Sequence, residues 1–350
     1  MKIVFLFSRL ASYMLACIEL LLNKNADIEV YAVHYPSSNN APFVFNQIDR
    51  LFLYDRLQYK NAEDLFCLLK QIMPDAIFCS GWFDKEYVKV CGKYSGIIPT
   101  VLSLDNQWEA RFKQYVACLL SRTYLLSKFS DVWVPGAPQV KYARYLGFKP
   151  QSIHEGYYCA DTNMFDTVYR NNREKKKKNP KRFIFVGRYS TEKGIENLWD
   201  VFREIQETQP NKWELWCFGV GPLYEQRIQH KSINHLGFCQ PKDLPQYLAQ
   251  TGIFVLPSLR ENWGVVVHEF AIAGFPLICS DAVGANSAFL KDNENGYIFE
   301  AGNKKSLRNA MVKMICHDDT TLNKMSDASH ELGMNNTMEI WCQKIKQIIS

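Results

Sequence analysis

Short runs of consecutive apolar residues alternate along this chain with longer stretches in which apolar residues recur at helical spacing. The runs are Lys2–Phe7, Ile28–Val33, Leu51–Tyr54, Ala76–Cys79, Thr100–Leu104 and Val132–Val134, then Arg182–Val186, Trp213–Phe218, Ile233–Leu236, Gly252–Leu256, Pro276–Cys279 and Tyr297–Phe299. Each is too short for a helix and reads as a buried strand. The periodic stretches predict helices over Ala11–Leu22, Ala62–Ile72, Arg111–Phe129, Gly194–Gln206, Leu244–Gln250 and Gly264–Ala273. Three more, from Lys304, Thr320 and Met338, close the chain. Repeated strand–helix units predict α/β domains built on doubly wound parallel sheets.

The alternation breaks once, between Asp166 and Lys181, where Lys175–Lys178 and Asn179-Pro180 form a charged, Pro-bounded stretch. It reads as a solvated linker, with contact to an acidic membrane surface as the other reading. The expected organisation is therefore a first Rossmann-like domain over 1–165, a basic linker over 166–181 and a second domain over 182–333. A C-terminal helix over 334–350 is expected to pack back toward the first domain. A polar loop is expected over His34–Asn40.

A length of 350 residues favours two domains, and 47% hydrophobic with 22% charged residues is the balance of a soluble globular protein. The net charge of +5 permits attraction to nucleotides or anionic lipids and demands neither. Eleven cysteines with no Cys-x-x-Cys pair suit reduced thiols and a cytoplasmic setting. The first residues are too short for a signal peptide, and no apolar run approaches the ~20 residues of a membrane span.

The chemistry-bearing residues follow strands in the second half. Gly187-Arg188-Tyr189-Ser190-Thr191-Glu192-Lys193-Gly194 leaves a strand and opens a helix. Arg188 offers a planar fork to phosphate oxygens and Lys193 a point charge, while Gly187 lets a ligand come close. Two solvated basic residues in a loop are the plainer reading. Gly219-Val220-Gly221-Pro222 and Gly237-Phe238-Cys239 follow the next two strands as turns. The run Pro257–Gly284 then reads strand end, loop, helix, strand, with Glu261 in the loop and Glu269 inside the helix. Loops at the carboxyl ends of parallel strands are where open α/β sheets bind ligands, and a helix start presents unpaired N–H groups. A cationic pair, glycine turns and two carboxylates together fit a sugar joined to a nucleoside diphosphate.

These pieces, in order over roughly residues 182–300, resemble the donor-binding domain of family 4 retaining glycosyltransferases. The resemblance implies the GT-B fold: two Rossmann-like domains facing each other across a cleft, the first binding an acceptor. It implies that Arg188 and Lys193 hold the donor diphosphate. Glu261 and the backbone of Asn262, Trp263 and Gly264 would hold the sugar, and Glu269 the ribose hydroxyls. The base would lie near Phe238 and Cys239. In the first domain the loop Ser8–Ser12 lacks the family's glycines. Asp105 stands where members often have a histidine; it either contacts sugar or acceptor, or caps the helix that follows.

The implied reaction moves a sugar from a UDP- or GDP-sugar to a saccharide or lipid-linked acceptor, with retention, in surface polysaccharide or lipopolysaccharide synthesis. No cofactor is expected beyond the nucleotide-sugar itself. There is no Asp-x-Asp, and no metal or nucleic acid is expected. A nucleotide-sugar epimerase and a catalytically silent binding protein are the rival readings. The stretch Arg111–Phe129, which mixes Arg111, Lys113, Arg122 and Lys128 with Phe112, Tyr115, Val116, Leu119 and Leu120, either packs against the sheet or rests on an anionic membrane.

Overall fold

A computed structural model describes residues 1–36, 47–175 and 179–349. Part of the polar loop expected over His34–Asn40 lies outside the described residues, as does most of the Lys175–Lys178 run. The chain divides into two compact units, 1–160 with 336–350, and 161–335.

The first unit holds strands β1 (Lys2–Phe7), β2 (Glu29–His34), β3 (Leu51–Asp55), β4 (Ala76–Ser80), β5 (Thr100–Ser103), β6 (Asp131–Val134) and β7 (Ile153–Glu155). They form one parallel sheet in the order β3-β2-β1-β4-β5-β6-β7. Side chains alternate between faces along a strand, and β1 shows the consequence. Ile3, Phe5 and Phe7 join the core formed with the helices Ser12–Lys24 and Met338–Ile349. Val4 and Leu6 join the other core, with Leu65 and Val88 from the helices Ala62–Ile72 and Lys85–Tyr94. The C-terminal helix is anchored by Trp341, which is fully buried, stacks on Phe5 at 6.4 Å and donates its indole N–H to the Tyr157 carbonyl at 2.9 Å. Trp341→Ala would remove about 3–5 kcal/mol of packing.

The second unit holds β8 (Arg182–Val186), β9 (Glu214–Phe218), β10 (Ile233–Gly237), β11 (Ile253–Leu256), β12 (Leu277–Ser280) and β13 (Gly296–Phe299), parallel in the order β10-β9-β8-β11-β12-β13. Both sheets reverse their winding once, between β1 and β4 in the first and between β8 and β11 in the second. Loops leaving the carboxyl ends of those strands are the places where such sheets bind ligands.

Three expectations need correction. The linker expected over 166–181 begins as a helix, Thr162–Lys175, whose buried Phe165 and Val168 and half-buried Tyr169 follow helical spacing. It packs within the second unit: Tyr169 stacks on His330 at 3.7 Å, and both Tyr169 and Arg173 bond Asp327. The high charge of the segment concealed that stripe. Second, the helix expected over Arg111–Phe129 is shorter, Phe112–Tyr124, and turns only its small apolar residues Ala117 and Cys118 toward the core, leaving the large ones exposed. Third, the strand β7 and the helices Lys85–Tyr94 and Ala137–Tyr145 carry too many polar residues to stand out in the hydrophobic pattern.

Candidate active site

The loop after β8 is stitched to the strand ends on either side of it. Tyr189 N–H donates to the Val220 carbonyl at 3.1 Å, in the turn after β9. The N–H groups of Leu259 and Arg260, after β11, both donate to the Glu192 carbonyl, at 2.8 and 3.2 Å. Such close approach excludes side chains. A Cβ on Gly194 (φ +65°) would stand 2.0 Å from the Pro257 carbonyl oxygen, and one on Gly219 (φ +131°) would stand 1.9 Å from that of Gly187. These glycines are needed for backbone contact between loops.

Tyr189 holds the same loop from beneath. Its ring is fully buried against Trp199, and its hydroxyl lies 3.2 Å from the Cys217 carbonyl and 3.0 Å from His235 Nδ1. Burial lowers the His235 pKa, so the ring is neutral. Its Nε2–H donates to the Ile228 carbonyl at 2.9 Å, which leaves Nδ1 to share the tyrosine's single proton with the Cys217 carbonyl. Hydrophobic periodicity does not mark this support; a large aromatic between glycine-flanked cations is the signal the sequence offers.

On this framework the structure brings Lys193 and Glu261 together. Lys193 Nζ donates to Glu261 Oε2 in an ion pair that is largely sheltered, with 21% and 14% of the two side chains exposed. Ser258 Oγ donates to the same oxygen at 3.5 Å. Arg188 forms its own pair with Glu192 at about half exposure. Both cations expected at a diphosphate are therefore matched by carboxylates of the loops.

Glu261 overlies the start of the helix Val265–Ile272, because a Cβ on Gly264 (φ +96°) would stand 3.1 Å from Glu261 Cγ. The N-cap residue is Gly264, which has no side chain to offer as a cap, and the positive dipole end of the helix favours an anion or a hydroxyl oxygen. The backbone around it is tied down from β12: Gly284 N–H donates to the Glu261 carbonyl at 3.1 Å and Ala285 N–H to that of Trp263 at 2.9 Å. The Trp263 ring itself is buried against Phe289. Only its backbone is left to meet a ligand.

Glu269 differs from the other acids. Its carboxylate is half-buried and accepts no hydrogen bond from any described residue. Burial, with Asp161 as a second cause, raises its pKa to about 7. A carboxylate left without donors suits a ligand that supplies them as hydroxyls. Asp161 was not singled out in the sequence, since it lies far from Glu269 along the chain. Phe238 and Cys239 are half-buried just beyond β10, and burial raises the Cys239 thiol pKa.

Asp105 belongs to the first unit, whereas every other candidate belongs to the second. It follows β5 and accepts a hydrogen bond from the Tyr158 hydroxyl at 3.2 Å, while its carbonyl accepts one from Gln139 at 3.1 Å. Burial and the Asp105 charge hold Tyr158 well above the ordinary phenol range, so it stays a donor.

Residues 169–331, most of the second unit, match the family described as glycosyl transferases group 1. A protein of the cps region of Klebsiella pneumoniae is 25% identical over 154 residues, 43% of this chain and 41% of that one. The Escherichia coli UDP-Gal:alpha-D-GlcNAc-diphosphoundecaprenol alpha-1,3-galactosyltransferase is 34% identical over 84 residues, 24% of this chain and 21% of its own. The chain thus spans less than half the length of these curated relatives. Among solved structures, sucrose-phosphate synthase from Thermosynechococcus elongatus matches with a TM-score of 0.76 and 16% identity over 99% of this chain and 97% of that one. At that identity the likeness speaks to fold, and the two parallel-sheet units are those of the GT-B class.

Proposed function

We propose that this protein is a retaining glycosyltransferase that moves a sugar from a nucleoside-diphosphate donor to a saccharide or lipid-linked acceptor. The observation that carries the reading is the Lys193–Glu261 pair at the switch point of the second sheet, beside Arg188 and the start of the helix Val265–Ile272. In the resting protein the two charges satisfy each other. A donor would part them, its diphosphate taking Lys193 and Arg188 and its sugar hydroxyls taking Glu261. Glu269 would accept from the ribose, and the Phe238–Cys239 turn would lie along the base.

In this reading the acceptor oxygen attacks the anomeric carbon from the face the diphosphate leaves. The carbon–oxygen bond to phosphate breaks with its electron pair going to the diphosphate, and the acceptor proton passes to the departing phosphate oxygen. Arg188, Lys193 and the helix N-terminus stabilise the charge that develops there, with no metal in the scheme. Asp105 is assigned to the acceptor side. The Klebsiella relative lies in a cps region and the E. coli relative acts on a diphosphoundecaprenol sugar, which supports surface polysaccharide assembly and a UDP-sugar donor. Eleven cysteines without a disulfide suit the reducing cytoplasm where such donors are found.

A thermal-shift screen of UDP- and GDP-sugars tests the donor, and NMR of the product formed with a saccharide acceptor tests transfer and anomeric configuration. One donor should stabilise the protein and its anomeric configuration should persist. Donor converted to an isomer without acceptor would indicate an epimerase. Binding with neither transfer nor hydrolysis would indicate a silent binding protein.

A further inference from the structure

The helix Phe112–Tyr124 is inverted relative to an ordinary surface helix. Its buried positions are the polar Gln114 and Ser121. Gln114 Nε2 donates to the Gln107 carbonyl at 2.6 Å, and its Oε1 accepts from Glu109 N–H at 2.8 Å. Ser121 Oγ donates to the Leu146 carbonyl. These bonds lock the polar face inward. Ala117 and Cys118 pack against the core beside them, while the large apolar residues face outward: Phe112 and Leu119 are 81% and 80% exposed, and Tyr115, Leu120, Val116 and Tyr124 stand beside them. At ~100° per residue, Phe112, Val116 and Leu119 share the centre of that face. Arg111 and Arg122 flank it on one side and Lys113 on the other. Trp108 extends the surface by contacting Tyr115 at 5.0 Å and the half-exposed Tyr145 at 4.6 Å.

The chain around this helix is rich in cations. From Glu109 to Glu155 there are seven, Arg111, Lys113, Arg122, Lys128, Lys141, Arg144 and Lys149, against the acids Glu109, Asp131 and Glu155. Asp131 is occupied by His154 at 2.9 Å, and the nearby Glu109 by Arg111 at 3.0 Å. An apolar stripe rimmed by cations matches the interface of an anionic bilayer, with hydrocarbon for the stripe and headgroup phosphates for the rim. A second copy of the chain fits poorly, because a symmetric contact would set the same cations against each other. The helix is too short to span and would lie in the membrane plane; none of the described helices is long and apolar enough to cross a membrane.

We propose that the outward face of the helix Phe112–Tyr124 docks this protein on anionic lipid surfaces. The proposal does not depend on the transfer reaction. Flotation with vesicles of phosphatidylcholine, with and without phosphatidylglycerol, tests it. The protein should float only with the anionic vesicles and be released by high salt. Phe112→Ser with Leu119→Ser should weaken that binding by about tenfold or more, and Lys113→Gln with Arg122→Gln by roughly tenfold. Both pairs are exposed, so thermal melting should be unchanged. Leu119→Trp, which keeps the face apolar, should be quenched by brominated lipid in anionic vesicles. The proposal is overturned by an absence of flotation with either vesicle, by unquenched Leu119→Trp, or by undiminished binding of the Phe112/Leu119 variant. A concentration-dependent dimer that the same variant dissociates, with no vesicle binding, would assign the face to a second copy instead.

Discussion

The two sheets reverse their winding at equivalent places, yet their strand ends carry opposite kinds of chemistry. Beyond β8 and β11, Lys193 meets Glu261 in a sheltered pair reachable from solvent, and Arg188 meets Glu192 in an exposed one. Beyond β1 and β4, Ser8 Oγ and Ser80 Oγ stand 3.3 Å apart, with the exposed Arg9 next to Ser8 and Asp84 four residues past the end of β4. Asp84 is committed. The buried Arg56 donates to it through Nε at 2.6 Å and Nη2 at 3.1 Å, Tyr35 donates at 2.9 Å, and Asp84 also caps the helix Lys85–Tyr94. Burial alone would raise the Asp84 pKa; Arg56 and Tyr35 outweigh it and hold the carboxyl below its usual range. A switch point becomes a ligand site when its charges can be exchanged for those of a ligand. A buried pair with every lone pair taken stabilises the fold instead.

The comparison is open to direct attack. Arg56→Ala should have the largest effect on stability, about 3–5 kcal/mol in urea unfolding, because it strands a buried carboxylate. Nucleotide binding by the folded protein should be unchanged; weaker binding would mean that the first switch point is not purely structural. Glu261→Gln should leave nucleoside-diphosphate affinity by calorimetry intact or improved, since it releases Lys193. Sugar transfer should fall by about 10²–10³. Equal losses in nucleotide binding and turnover would break the proposed exchange of partners.

Glu269→Gln probes a smaller term through pH. The native pKa near 7 lies above the ordinary 4.5, so the folded state binds the proton more tightly. Wild-type stability should therefore fall as pH rises from about 4.5 to about 7 and level off above. The variant should be ~1–3 kcal/mol more stable than wild type above pH 7 and no more stable below 4.5, as read from melting curves. If ribose hydroxyls donate to the ionised form, nucleotide affinity of the wild type should tighten through pH 7 and that of the variant should not. Smallest of all, Glu192→Gln breaks an exposed pair and should cost under ~1 kcal/mol, while freeing Arg188 for phosphate.

Much of the candidate site was legible in the sequence. Arg188, Lys193, Glu261 and Gly264 lie in loops that leave apolar runs, so strand–loop–helix periodicity located them. The direct bond between Lys193 and Glu261 was not legible, because it joins loops from two strands that are neighbours only in the sheet. The helix Thr162–Lys175 was hidden by its charge, and the burial of the Trp263 ring by the loop around it.

The sequence by itself determined the two parallel sheets and the residues at their strand ends. Alternation of apolar runs with helical spacing is local information, and so is a glycine at a tight turn. The tertiary structure alone decided which charges pair where a ligand could reach them and which pair in the interior, as Lys193–Glu261 and Arg56–Asp84 show. It also decided that the helix Phe112–Tyr124 faces its apolar stripe outward, because the bonds of Gln114 and Ser121 to neighbouring backbone outweigh the pattern of the helix itself. Periodicity places residues on one face of a helix; only the partners on either side decide where that face points.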